Sequence, residues 1–131
     1  MNPEMILKQY FGYDDFRKGQ RELIDCILEG KDVLGIMPTG AGKSICYQVP
    51  ALMFSGITIV ISPLISLMKD QVYSLSQAGI PAAYINSSLS DMEIYKTFEY
   101  ARQGRKKILY IAPERLDTPL FLDFIAYADI S

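Results

Sequence analysis

An α/β fold, a parallel β-sheet flanked by helices on both faces, is predicted by three features of the sequence. Short runs that are apolar at every position alternate with segments whose apolar residues recur at helical spacing. Capping and stop signals separate the two kinds of segment. Strands apolar on both faces belong to parallel sheets covered on each side. The chain has 131 residues, 50% hydrophobic, 11% aromatic and 21% charged. That composition predicts a single domain over residues 1–131, folded around one core.

Leu23, Ile24, Ile27 and Leu28 recur at helical spacing before Gly30 and predict a helix over 17–29. Val33-Leu34-Gly35-Ile36-Met37 is a short continuous apolar run, which predicts a buried strand. Lys43 to Phe54 is helical in character, bent or shortened by Pro50. Ile57-Thr58-Ile59-Val60-Ile61, β-branched throughout, predicts a second buried strand. Ser62 as N-cap with Pro63 in the first turn starts a helix through Leu64, Leu67, Met68 and Val72, the first three of these as core, and Gly79 stops it. Ala82-Ala83-Tyr84-Ile85 is a weaker strand. Ser90-Asp91-Met92-Glu93 is a capping box that opens a helix to about Gln103, closed by Gly104. Ile108-Leu109-Tyr110-Ile111 is the fourth strand, and Thr118-Pro119 opens a last helix to about Ala128. No repeat, low-complexity segment or linker interrupts the series.

Composition also excludes. A net charge of −2 rules out holding nucleic acid by bulk positive charge, so any such site must be local. With no histidine and two cysteines, Cys26 and Cys46, outside any CxxC spacing, the chain offers no zinc set and no Ser-His or Cys-His arrangement. Both thiols sit among apolar residues and are expected to be reduced core cysteines of a cytosolic protein. Met1 to Lys8 carries no basic-then-apolar leader. The stretch Val49 to Leu67 is broken by Pro50, Ser55, Gly56, Ser62, Pro63 and Ser66, so no membrane span is expected.

The chemistry is concentrated in Met37-Pro38-Thr39-Gly40-Ala41-Gly42-Lys43-Ser44. A phosphate cradle needs successive backbone N–H groups converging on one anion, with glycine wherever a Cβ would intrude. Gly40 and Gly42 supply those positions. The helix that follows directs its partial positive charge at the same point. Lys43 is placed to reach the outer phosphates, and the Ser44 hydroxyl to ligate Mg2+. The strict pattern G-x-x-x-x-G-K-[ST] has glycine where this chain has Met37, yet the strand–loop–helix context is the required one. Upstream, a Gln amide such as that of Gln20 matches the N6 and N7 edge of adenine. An aromatic face and a guanidinium could sandwich the ring. On spacing alone a helical Gln is more often solvated than base-reading.

Four blocks then resemble the RecQ family of superfamily 2 DNA helicases. They are Phe11-Gly12-Tyr13-x-x-Phe16-Arg17-x-x-Gln20, residues 37–48 ending Cys46-Tyr47-Gln48, Ser62-Pro63-Leu64-Ile65-Ser66-Leu67-Met68-Lys69-Asp70-Gln71-Val72, and Tyr110-Ile111-Ala112-Pro113-Glu114-Arg115-Leu116. They occur in the family's order and span residues 10–116; Met37 at the loop's start is itself what RecQ-like proteins tend to have. The resemblance implies an incomplete RecA-like P-loop NTPase lobe, the N-terminal part of the first of two. It implies ATP and Mg2+ as cofactors, held by Pro38, Thr39, Gly40, Ala41, Gly42, Lys43 and Ser44. Tyr13 and Arg17 would flank the adenine and Gln20 would read its edge.

By the same resemblance Ser62, Pro63, Leu64, Glu114 and Arg115 would contact DNA. For the first three a physical reason is visible, since an N-cap Ser and the N–H groups behind it hold a phosphate. Without the family, residues 62–72 read as a capped core helix and Glu114-Arg115 as a surface turn. The basic run Arg102, Arg105, Lys106 and Lys107 reads as solvated.

Phosphoryl transfer to water also needs a metal-bound carboxylate and a group orienting the water. In this family both sit in Asp-Glu-Ala-His, a tetrapeptide absent from the sequence. The expected parent is a 3′ to 5′ DNA helicase acting on single-stranded and duplex-junction DNA, in the cytoplasm and nucleoid or the nucleus. The 131-residue piece is expected to be inactive alone, to lack a second helicase lobe in cis, and to expose a sheet edge that invites self-association. The alternatives are a non-catalytic nucleotide-binding module and another P-loop enzyme, such as an RNA helicase or a small-molecule kinase.

Overall fold

Residues 2–37 and 42–131 are described by the computed structural model. They divide into a helical unit reaching to Phe54 and an α/β unit from Ser55 to Ser131.

In the helical unit, Asn2 accepts the Met5 N–H at 2.9 Å and caps α1 (Pro3–Ile6), which runs into a π-helical turn, Leu7–Phe11, ended by Gly12. Two further helices follow, α2 (Gln20–Leu28) and α3 (Ile45–Met53). Ile6, Leu7, Ile24, Ile45 and Val49 form their common core, so the apolar stripe of α2 is spent against α3 and α1. Arg21 bridges Glu4 on α1 and Asp25 one turn along α2. Pro50 lies inside α3 and lacks the N–H that would reach back one turn, but the helix continues to Met53 before it ends.

Val33 to Met37 corrects the sequence reading. These residues form no strand, and Leu34 and Ile36 are 85% and 88% exposed. A strand exists only as a ladder of hydrogen bonds with a neighbour, and among the described residues this unit holds no second strand. An apolar run alone cannot supply that partner.

The α/β unit contains β1 (Thr58–Ile61), α4 (Ile65–Gln77), β2 (Ala82–Ile85), α5 (Asp91–Arg102), β3 (Ile108–Ile111), a 3-10 turn (Pro113–Arg115) and α6 (Pro119–Tyr127). The strands are parallel in the order β1-β3-β2, with Thr58 and Ala82 both opposite Ile108. The chain therefore crosses the sheet one way from β1 to β2 and returns from β2 to β3. Right-handed crossovers place α4 and α5 on opposite faces. The predicted parallel sheet with helices on both faces is the observed one, with three strands.

Central β3 is buried at all four positions. Leu109 and Ile111 pack with Ile94 and Phe98 of α5 and Phe121 and Phe124 of α6, and the rings of Phe98 and Phe124 stack at 4.6 Å. The sequence reads β1 as buried, but it is an edge strand whose last residue, Ile61, is 54% exposed. Having only one ladder neighbour, it is covered less than β3. Its start is flanked by the chain's last residues: Ile57 donates to the Asp129 carbonyl at 2.8 Å and accepts from the Ser131 N–H at 2.9 Å. Gly56 permits that approach, since a Cβ there would stand 2.6 Å from the Asp129 carbonyl oxygen.

The capping box on α5 is present as predicted, with Ser90 Oγ accepting from the Glu93 N–H and Glu93 accepting from the Ser90 N–H. The start of α4 is corrected. The helix begins at Ile65 with Leu64 as N-cap, while Ser62 Oγ accepts the Leu64 N–H at 3.2 Å in a turn of its own. Leu64 adopts φ −85° and ψ 69°, outside the helical region, so Ser62 and Pro63 cannot be its cap and first turn. Of the predicted core residues there, Met68 is buried, whereas Leu64 and Leu67 are exposed. The basic run is corrected from solvated to partly tied down. Arg102 pairs with Glu99 and Asp123, Arg105 lies over the Tyr100 ring, and Lys107 donates to the Gly56 carbonyl at 2.9 Å. Burial holds the Lys107 ammonium below its ordinary pKa, partly offset by Asp129.

Candidate nucleotide-binding site

Gln20 opens α2, and its side chain is buried rather than solvated. Its Oε1 accepts the Arg17 N–H at 2.7 Å and its Nε2 donates to the Gly42 carbonyl at 2.9 Å. An amide has two N–H groups and two oxygen lone pairs, so one of each is committed to holding two distant backbone segments together. Gly42 has φ +77°, and a Cβ there would stand 2.5 Å from Gln20 Nε2 and 3.9 Å from Arg17 Cδ. Glycine is thus required twice, by the left-handed backbone and by the neighbour.

Lys43 follows, exposed, and Ser44 is the half-buried N-cap of α3. The Ser44 carbonyl accepts from Gln48 at 2.9 Å, but its hydroxyl makes no capping bond among the described residues. Arg17 and Tyr13 are both exposed. The fold brings Arg17, Gln20 and Gly42 together; Pro38, Thr39, Gly40 and Ala41 lie outside the described residues. Cys46 is buried behind the site, 4.0 Å from Met37 Sδ, and burial raises its thiol pKa. It is a packing residue, as expected, while Cys26 is half-buried.

In the α/β unit, the segments carrying Ser62 to Leu64 and Glu114-Arg115 lie at the carboxyl ends of neighbouring strands, β1 and β3. The Ser62 N–H donates to the Ile111 carbonyl at 3.2 Å. Residues far apart in sequence thus share the end of a parallel sheet where α/β folds bind ligands. Glu114 is exposed and Arg115 half-buried. Thr118, at the start of α6, donates its hydroxyl back to the Arg115 carbonyl at 2.7 Å and pins that turn.

The model of the DEAD/DEAH box helicase family matches residues 17–128. The chain belongs to that family. It is 54% identical over 97% of its length to the ATP-dependent DNA helicase RecQ of Bacillus subtilis, of which it covers 22%. The ATP-dependent DNA helicase RecQ of Pasteurella multocida is 52% identical over 96% of this chain. ATP-dependent DNA helicase Q-like 5 of Arabidopsis thaliana is 43% identical over 92%. The chain spans about a fifth of the length of the bacterial relatives, 22% and 20%.

As a segment of a DEAD/DEAH box helicase, the chain has residues that fit a nucleotide. The glycine that a Cβ would block stands directly before an exposed lysine, and both precede a helix N-terminus. Sequence reasoning missed the bond between Gln20 and Gly42. Nothing in a spacing of 22 residues signals it; only the pattern of glycine immediately before Lys43 hinted that a neighbour approaches there. Among the described residues, no helix is long and apolar enough to cross a membrane.

Proposed function

We propose that this chain is the ATP-binding segment of a RecQ-type ATP-dependent 3′–5′ DNA helicase. The whole protein couples ATP hydrolysis to movement along single-stranded DNA and to opening of duplex junctions, in DNA repair and recombination. The observation that carries this reading is the pair of bonds from Gln20 to Arg17 and Gly42. It supports a single site in which Arg17 and Gln20, on the side assigned to adenine together with Tyr13, are tied to Gly42 at the end of the phosphate loop. The identity to helicases named for DNA favours DNA over RNA.

In this reading Pro38 to Lys43 hold the phosphates, with Lys43 offsetting their charge, and Ser44 holds Mg2+. ATP with its metal supplies the free energy for movement. Ser62, Pro63, Leu64, Glu114 and Arg115 meet the strand. The turn at Ser62 is short of N–H groups for a phosphate, because its hydroxyl already takes that of Leu64; Arg115 is the stronger phosphate partner. Both units serve one helicase lobe, completed by a second lobe in cis. By itself the chain hydrolyses no ATP, since it holds no Asp-Glu-Ala-His carboxylates. The edge of β1 favours self-association when uncovered. The compartment is that of the DNA, the bacterial cytoplasm and nucleoid or the nucleus.

The test is DNA-stimulated ATP hydrolysis and unwinding of a 3′-tailed duplex by the intact protein and its Lys43→Ala variant. Turnover and unwinding should fall to background in the variant. Equal activity of the two would sink the phosphate assignment. Nucleotide binding without hydrolysis or unwinding by the unmodified protein would favour a regulatory module instead.

A further inference from the structure

A cleft of about 600 Å3 opens in the α/β unit between the first turns of α5 and α6. We propose that it holds one unpaired nucleobase of the bound strand, with preference for a base carrying an exocyclic amino group, and places the adjoining phosphate on Arg115. This deepens the strand-binding reading above and rests on it.

The volume is that of ordinary small-ligand pockets, and so is the lining, mostly apolar with a few polar groups. Asp91, Met92 and Tyr95 enter it from α5, Pro119 from α6, and Arg115 and Thr118 from the turn between β3 and α6. Met92 and Tyr95 are 61% and 51% exposed, so two large apolar side chains line an open space rather than a packed core. Asp91 and Tyr95 stand one turn apart on the same helix face. Among the described residues, the Asp91 carboxylate and the Arg115 guanidinium take part in no ion pair or side-chain hydrogen bond, with each other or with anything else. An apolar slot with an aromatic face, one anion and one cation is the complement of a nucleotide. The base stacks on Tyr95, its amino group donates to Asp91, and its phosphate accepts from Arg115. An apolar peptide side chain would leave both charges unused. The position agrees: α5 follows the carboxyl end of β2 and α6 that of β3, the sheet end where Ser62 and Arg115 already lie.

Short fluorescent homopolymers of deoxycytidine and of thymidine, titrated into the intact protein, test the proposal. The cytidine strand should bind more tightly, and Asp91→Asn should erase that preference. Tyr95→Ala should weaken binding of both strands by about 5- to 150-fold, the value of one base–aromatic stack, while Tyr95→Phe retains it. ATP binding should be unchanged in all three variants, which reports that they fold. In the unmodified protein, a strand with 5-iododeoxycytidine should photocrosslink within the peptide carrying Met92 and Tyr95. If neither strand binds the unmodified protein, the strand-binding reading itself fails. If both bind, and Arg115→Ala weakens them while Tyr95→Ala does not and crosslinks map only elsewhere, the cleft inference is overturned and the strand-binding reading survives. The cleft would then belong to another ligand, such as a peptide segment.

Discussion

The carboxamide of Gln20 and the carbonyl of Gly42 are joined by a 2.9 Å hydrogen bond across 22 residues of chain. The bond makes one residue answerable for two things, the position of the loop's last glycine and the edge proposed to meet adenine. Removing either partner therefore has separable consequences.

Gln20→Ala should leave the Arg17 N–H and the Gly42 carbonyl without their partners, costing about 1–3 kcal/mol and eroding preference for ATP over GTP. Gly42→Ala should cost a similar ~1–3 kcal/mol, because φ is +77° and the new methyl meets Gln20. Thermal unfolding with and without nucleotide, and competition of ATP and GTP against a fluorescent analogue, check both. Equal competition by the two nucleotides in the unmodified protein would rule out the adenine role of Gln20.

Acid should loosen the start of α5. Hydrogen bonds from the Ser90 backbone and side chain hold the Glu93 carboxyl below its ordinary pKa. A carboxylate depressed in the folded state stabilises fully above its unfolded pKa, and that contribution is lost as pH falls through the folded value. Amide exchange in residues 91–95 should accelerate over that acidic window relative to Glu93→Gln at the same pH. Ser90→Ala should cost the cap about 0.5–2 kcal/mol at neutral pH.

Phe124→Ala should destabilise the α/β unit by about 3–5 kcal/mol, because the ring is fully buried and stacked on Phe98. Chemical denaturation followed by far-ultraviolet dichroism measures it. A change within the range of surface substitutions, about 0.5 kcal/mol, would contradict the packing described.

Alkylation should separate the two thiols. Cys26 is half-buried, whereas Cys46 is buried with its pKa raised by that burial. Iodoacetamide under native conditions should modify Cys26 first, and Cys46 only as α3 opens. Mass spectrometry of a time course reads the order directly.

Local signals carried much of the fold. The capping box at Ser90 and Glu93, the Pro119 start of α6 and the apolar run Ile108–Ile111 each encode their outcome within a few residues, because caps and fully apolar runs act at short range. The start of α4 did not follow, since Ser62 could cap either a helix or a turn and the dihedral of Leu64 decided it.

By itself the sequence determined the family and the order of strands and helices after Ser55, since both are written in contiguous motifs. Only the tertiary structure decided that Val33–Met37 is no strand, that β1 lies at an edge and β3 in the centre, and that Gln20 reaches Gly42. Each of these depends on a hydrogen-bonding partner far along the chain. Whether a distant group stands close enough to accept a bond is settled by packing.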